Sequence, residues 1–221
     1  MPWHVICCLI DYEHPKMKGS NMALTQPVIE KDTYSEDEYF EFEQTAFGRW
    51  EFIGGQIRAM SGGTDDHNTI AVNVGAALRN ALAARGCRVY VADMKVHTGD
   101  GINTFPDVAV VCGPRQYHRG RTDVIANPVL VVEVLSPSTQ NYDRTEKFDH
   151  YKTIPALIDY LLVVPDEARV LLYTRIGDHW ELRDILGLQS SVLLPSVQIS
   201  LPLADIYALI ELTDETPNPA S

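Results

Sequence analysis

Two apolar runs in this chain each carry a single carboxylate. Phe105-Pro106-Asp107-Val108-Ala109-Val110-Val111 holds Asp107, and Pro128-Val129-Leu130-Val131-Val132-Glu133-Val134-Leu135-Ser136 holds Glu133. Both read as strands. Burying even a lone polar group without a partner costs on the order of 2–7 kcal/mol, and an isolated charge costs more. A shared partner offsets that cost, and a divalent cation is the economical one. For Asp107 alone, a strand-end cap or an arginine partner is the simpler reading. For the two acids together, with a lysine downstream, the pattern points to chemistry.

Side chains alternate along a strand, so Val129, Val131, Glu133 and Leu135 share one face. In the helix expected next, Asp143, Lys147 and Tyr151 recur every four residues and line one side. If that helix packs back across the sheet, Lys147 reaches the Glu133 end of the strand. Two acids and an ammonium then converge on one cleft, with Tyr151 packed in the core and its hydroxyl near the cleft. Glu51 is an additional candidate acid, although an acid beside a hairpin turn is more often solvated. His67, next to Asp65 and Asp66 at a helix start, is a further candidate; there capping accounts for the two acids without a metal. Lys95 reads as a solvated edge lysine on a strand adjoining that of Asp107.

The elements that must position these groups are legible in outline. Ser35-Glu36-Asp37-Glu38 has the form of a capping box and predicts a helix from Tyr39 to about Phe47. Trp50–Ile53 and Gln56–Met60 flank Gly54-Gly55, which predicts a tight hairpin. Ile70, Val74, Leu78 and Leu82 recur at helical spacing before a stop at Gly86, so a helix is expected over His67–Arg85. Val89–Val96 reads as one strand, turned by Gly99-Asp100-Gly101 into the Asp107 strand and antiparallel to it. Gly113–Asn127 reads as an exposed loop. Ser136-Pro137-Ser138-Thr139 ends the Glu133 strand and launches a helix through about Tyr151. Leu161–Val164 is a further strand, Arg169–Thr174 and Trp180–Asp184 form a hairpin, and Leu201–Leu212 is a last short amphipathic helix. This order predicts an α/β (α+β) domain, a mixed central β-sheet flanked by helices.

The net charge is −12. Proteins that grip nucleic acid along a groove usually present a basic surface, so this balance argues against tight, unaided duplex binding. Acids that hold metal add to the negative count, and Arg115, His118, Arg119 and Arg121 form a local basic patch. No apolar run reaches the roughly 18 residues that span a bilayer, and no membrane partner is expected. The opening segment lacks the layout of a secretory signal, and Met22 reads as a natural beginning. Cys7, Cys8, Cys87 and Cys112 show no CxxC spacing and no stapling framework, which places the chain in a reduced, cytoplasmic compartment. There is no G-x-S-x-G elbow and no phosphate-cradling Walker loop.

The Pro106-Asp107 pair, the run Glu133-Val134-Leu135-Ser136-Pro137-Ser138-Thr139 and the run Asp143-Arg144-x-x-Lys147-x-x-x-Tyr151 resemble the Uma-type restriction endonuclease family of bacteria. That family is placed in the PD-(D/E)xK nuclease superfamily. Trp50-Glu51-Phe52-Ile53-Gly54-Gly55-Gln56-Ile57 resembles its N-terminal part, and His67 falls where the family often has histidine. The resemblance spans about Tyr34 to Leu212. It implies a restriction-endonuclease-like core over 34–212; a flexible N-terminal extension is expected over 1–33, and the polar, proline-containing end over 213–221 reads as a disordered tail.

Carried onto this chain, the resemblance makes Asp107 the motif aspartate and Glu133 the motif acid. The motif lysine is absent, since Leu135 stands two positions past Glu133, and Lys147 is the replacement from the neighbouring helix. Asp107, Glu133 and the backbone carbonyl of Val134 would hold Mg²⁺ or Mn²⁺, hard cations that prefer oxygen ligands. Lys147 would orient the attacking water or stabilise charge on phosphorus. The expected substrate is DNA, and cutting both strands with one site per chain favours a homodimer. The rival expectations are a catalytically inactive nuclease fold used for interaction or regulation, and a hydrolase of other phosphoesters.

Overall fold

The computed structural model describes residues 27–136 and 143–212. Expectations for 1–26, for 213–221 and for the helix launch over 137–142 lie outside the described residues. The capping box forms as the sequence predicts: the Ser35 side chain accepts from the Glu38 N–H, and Glu38 reaches back to the Ser35 N–H. It opens α1 (Glu36–Glu43), which ends a turn earlier than expected. The hairpin β1 (Trp50–Ile53) and β2 (Gln56–Ala59) turns on Gly54 and Gly55, both at positive φ. The next helix, α2 (Asp65–Leu82), is capped by the Thr64 side chain rather than by either aspartate. It runs out in a 3-10 turn that stops at left-handed Gly86.

The strand expected over Val89–Val96 is two strands in two different sheets. β3 (Cys87–Val91) and β4 (Lys95–His97) are separated by a bend in which Ala92 takes φ 63°. The Gly99–Gly101 turn therefore leads from β4 to the short β5 (Asn103–Thr104), and only then to β6 (Val108–Cys112). The loop expected over Gly113–Asn127 contains a buried strand, β7 (Val124–Ile125), which pairs parallel to β4. After β8 (Leu130–Val134) come the helix α3 (Glu146–Tyr151) and β9 (Asp159–Val164). A long hairpin, β10 (Arg169–Ile176) with β11 (His179–Leu186), follows as expected.

The final helix is corrected. Ser191–Leu194 (β12) and Ile199–Pro202 (β13) form a hairpin, and only Leu203–Ile206 (α4) is helical. Leu201 and Leu203 are both buried, so the apolar spacing there suits a strand running into one turn.

Beside the two-stranded β12-β13 sheet, one larger sheet has the order β11-β10-β9-β8-β6-β3 and the other β2-β1-β5-β4-β7. The first is mixed: β8 and β9 are parallel and the remaining pairs antiparallel. Its two faces have separate cores. On one face Ile70, Val74, Leu78 and Leu82 of α2 pack on Val108, Val110, Leu130 and Val132. On the other, Phe148 and Tyr151 of α3 pack on Ala109, Val131 and Leu162. Covered on both sides, β8 is buried along its whole length. Lys95 is not at a solvated edge: it is buried between Glu43, 2.5 Å away, and Asp123, 3.3 Å away. Cys87 and Cys112 are opposite residues of β3 and β6, with Cα atoms 4.1 Å apart and their sulfurs bonded. The absence of a spacing motif concealed that pairing, because strand register creates it.

Candidate functional site

The register of β6 and β8 runs Val110↔Leu130, Ala109↔Val131, Val108↔Val132. Continued one residue, it sets Asp107 opposite Glu133, and one more sets Pro106 opposite Val134. Opposed residues of an antiparallel pair project on the same face, here the face that α3 covers. The two acids are therefore neighbours by construction. The Val134 N–H donates to Asp107 Oδ2 at 2.7 Å, which ties the aspartate across the gap to β8. Pro106 has no N–H to offer the Val134 carbonyl in return.

Lys147 arrives from α3. Its Nζ lies 2.8 Å from Glu133 Oε1, 3.7 Å from Asp143 Oδ1 and 4.0 Å from Glu51 Oε1. The Tyr151 hydroxyl, one turn on, donates to the same Glu133 oxygen at 2.8 Å. The four-residue spacing of Lys147 and Tyr151 on α3 delivers both side chains to Glu133, while Asp143, before the non-helical Thr145, approaches Lys147 instead. Glu51 is not solvated: it is buried on β1, accepting from the Thr104 hydroxyl and, at 3.4 Å, from the Phe105 N–H. His67, in the first turn of α2, brings Nε2 to 3.2 Å from Asp107 Oδ2. Its Nδ1 is buried with no hydrogen-bond partner, against Gly63, where an added Cβ would stand 2.5 Å from it. Only glycine leaves room for the ring in that position.

These groups face a cavity of about 490 Å³, whose walls include Asp107, Glu133, Lys147, Glu51, His67 and Arg49. Burial pushes the Glu133 carboxyl up to about 8; the nearby Lys147 opposes this, while Asp107 and Asp143 add to it. Burial alone would lower the Lys147 ammonium, but Glu133, Glu51 and Asp143 outweigh it and hold the group above its ordinary value. The hydrogen bond to Asp107 raises His67. The cleft therefore pairs a firmly held Lys147 ammonium with a Glu133 carboxyl that keeps its proton more readily than an ordinary acid.

The donor set suits a hard divalent cation. Each acid has a second oxygen, Asp107 Oδ1 and Glu133 Oε2, outside the contacts just described. The carbonyl of Val134 leaves the same strand edge as the N–H that holds Asp107. Oxygen-only donors of this kind match Mg²⁺ or Mn²⁺ better than a softer ion.

The basic patch expected from Arg115, His118, Arg119 and Arg121 is largely engaged elsewhere. Arg119 pairs with Glu36 and Asp37, Arg121 pairs with Asp123 and stacks on Phe40, and His118 contacts Glu36. Spacing in one loop does not reveal partners that come from α1.

Comparison with known proteins agrees with this architecture. A family model described as "Uma2: Putative restriction endonuclease" matches residues 36–204. The uncharacterized protein slr1290 of Synechocystis sp. is 40% identical over 176 residues, covering 78% of this chain and 90% of its own. A second uncharacterized Synechocystis protein, sll1609, is 33% identical over 152 residues, 68% of this chain and 86% of its own. The crystal structure of "a putative nuclease belonging to DUF820" from Anabaena variabilis superposes with a TM-score of 0.62 at 21% identity, over 77% of this chain and 96% of that one. At that identity the likeness establishes the restriction-endonuclease-like fold. Among the described residues, no helix is long and apolar enough to cross a membrane. With the family model covering most of the chain and the fold agreeing, this protein belongs to the Uma2 family.

Proposed function

We propose that this chain is a divalent-cation-dependent endonuclease that hydrolyses DNA phosphodiester bonds. The observation that carries the reading is the cross-strand pair Asp107 and Glu133, facing a cavity, with Lys147 in contact with Glu133. Asp107, Glu133 and the Val134 carbonyl are the ligands for Mg²⁺ or Mn²⁺. Such an ion, when bound, polarises the scissile phosphate and lowers the pKa of an attacking water.

The chain's own groups do the rest. Lys147 stays protonated and stabilises the charge that develops on the phosphate oxygens, or orients the water beside Glu133. Tyr151 holds Glu133 in one rotamer, and the Val134 N–H does the same for Asp107. His67, whose pKa the hydrogen bond to Asp107 raises, and Arg49 also line the cavity. Local cations in the cleft offset an overall charge of −12 that otherwise repels a polyanion. A homodimer would cut both strands, and action on DNA places the protein in the cytoplasm.

The test is Mg²⁺-dependent cleavage of duplex DNA by the wild type, Asp107→Ala and Glu133→Ala, with a chelator control. Cleavage that survives either substitution rejects the assignment. Running RNA and a small phosphodiester alongside identifies the substrate class, and absence of cleavage with every substrate and cation leaves the fold as a non-catalytic module.

A further inference from the structure

A second cluster of ligand-bearing side chains lies on the other sheet. Glu36 opens α1, His97 ends β4, and His118 sits in the turn between β6 and β7; one ligand atom from each lies within 4.8 Å of the others. None of the three lines the acidic cavity. His118 Nε2 is 3.0 Å from Glu36 Oε1, and His97 Nδ1 is 3.5 Å from the same oxygen. The imidazole rings are stacked, with centroids 3.5 Å apart and planes 13° from parallel.

We propose that Glu36, His97 and His118 bind a transition-metal cation of the zinc class, at a site separate from the acidic cleft and independent of the nuclease reading. Zinc bonds of about 2.0–2.2 Å set tetrahedral ligands about 3.3–3.6 Å apart, near the two carboxylate–imidazole separations, and the stacked rings must splay for both nitrogens to aim at one ion. Two imidazoles and one carboxylate select a borderline ion over Mg²⁺, which prefers oxygen. Binding exchanges present contacts: a His97 Nδ1 that donates to Asn103 Oδ1 must give up that proton before it can ligate. Asn103, fully buried, donates from Nδ2 to Glu36 Oε1 at 2.8 Å and sets its Oδ1 3.0 Å from His97 Nδ1. Arg119 pairs with Glu36 Oε2 at 3.3 Å and also holds Asp37. Oε1 is the oxygen that both imidazoles approach, and there the ion would take the place of the Asn103 donor. Side-chain exposures of 16–21% allow an ion to enter without opening the core. The ion would fasten three segments distant in sequence: the start of α1, the end of β4 and the loop before β7.

The test uses full-length protein without a polyhistidine tag, titrated with Co²⁺ as a visible probe and then with Zn²⁺ as competitor. One equivalent of Co²⁺ should give tetrahedral d–d absorption, lost on adding Zn²⁺. His118→Asn should weaken binding roughly a hundredfold. His97→Gln repeats the test from a strand position, and metal-free thermal melts confirm that both variants fold. The Asp107→Ala/Glu133→Gln double variant should keep the signal unchanged. The proposal is overturned if folded His118→Asn and His97→Gln bind Co²⁺ like the wild type. It is overturned equally if the acidic-cleft variant loses the signal, if a sulfur charge-transfer band shows cysteine ligation, or if no Co²⁺ or Zn²⁺ binds.

Discussion

The Tyr151 hydroxyl donates to Glu133 Oε1 at 2.8 Å from within the core, where the tyrosine is fully buried. Burial raises the phenol well above its ordinary value, so it remains a donor across the working pH range. Replacing it with phenylalanine removes one buried hydrogen bond to the Glu133 carboxyl, at a cost of about 1–3 kcal/mol. Tyr151→Phe should lower the unfolding free energy by that amount in urea titrations. Cleavage should fall about tenfold as Glu133 loses its restraint. A stability loss with unchanged cleavage removes Tyr151 from the positioning of Glu133.

Stability should depend on pH through Glu133. Its folded pKa, about 8, lies above the ordinary 4.5, so between those values the native state holds more protons than the unfolded chain. The stabilisation is complete below the unfolded pKa and is lost as pH rises through the folded one. His67, also raised, adds a slope of the same sign above its unfolded value. Denaturant titrations between pH 5 and about pH 9 should show a decline that becomes shallower in Glu133→Gln. A wild-type curve that is flat or rising over this range contradicts the assignment.

Gly63 tests whether the His67 ring position matters. A Cβ there would lie 2.5 Å from His67 Nδ1, so Gly63→Ala must push the imidazole from its contact with Asp107. A displacement near 1 Å at such a site costs about a hundredfold in rate. Cleavage should drop by up to that factor while the melting temperature barely moves. Equal rates for the variant and the wild type exclude His67 from the reaction.

The Cys87–Cys112 bond closes a loop with a sequence separation of 25. Loop-closure entropy gives such a crosslink about 3 kcal/mol. Cys87→Ala/Cys112→Ala should lose about that much stability in oxidising buffer, and far less relative to wild type under strong reductant. Cleavage should be the same in both states, since neither sulfur lines the cleft. A thiol count on freshly purified protein reports which of the two states it carries.

Much of the site was legible because local rules govern it. Strand alternation places Glu133 on the face that α3 covers, and four-residue spacing aims Lys147 and Tyr151 at it, with Asp143 beside Lys147. The capping box at Ser35 and the glycine turns at 54–55 and 177 are equally local. What was missed depends on long-range pairing. The break at Ala92 has no glycine or proline to announce it, so β3 and β4 read as one strand. Glu51 is buried because β1 pairs with β5, and Lys95 because α1 supplies Glu43. Likewise, the meeting of Glu36, His97 and His118 follows from sheet order, which no window of sequence displays.

The bend at Ala92 gives the fold a mechanical property. Its N–H is held by the Asp107 carbonyl at 2.9 Å, and its carbonyl by Arg49 at 3.2 Å. The chain crosses between the two sheets at this crease, and both Val91 and Ala92 form part of the cavity wall. Prying the sheets apart therefore tugs on the main chain of the very aspartate that a bound cation would need. A bulky ligand wedged into the groove would be sensed at Asp107 before it touched the carboxylate.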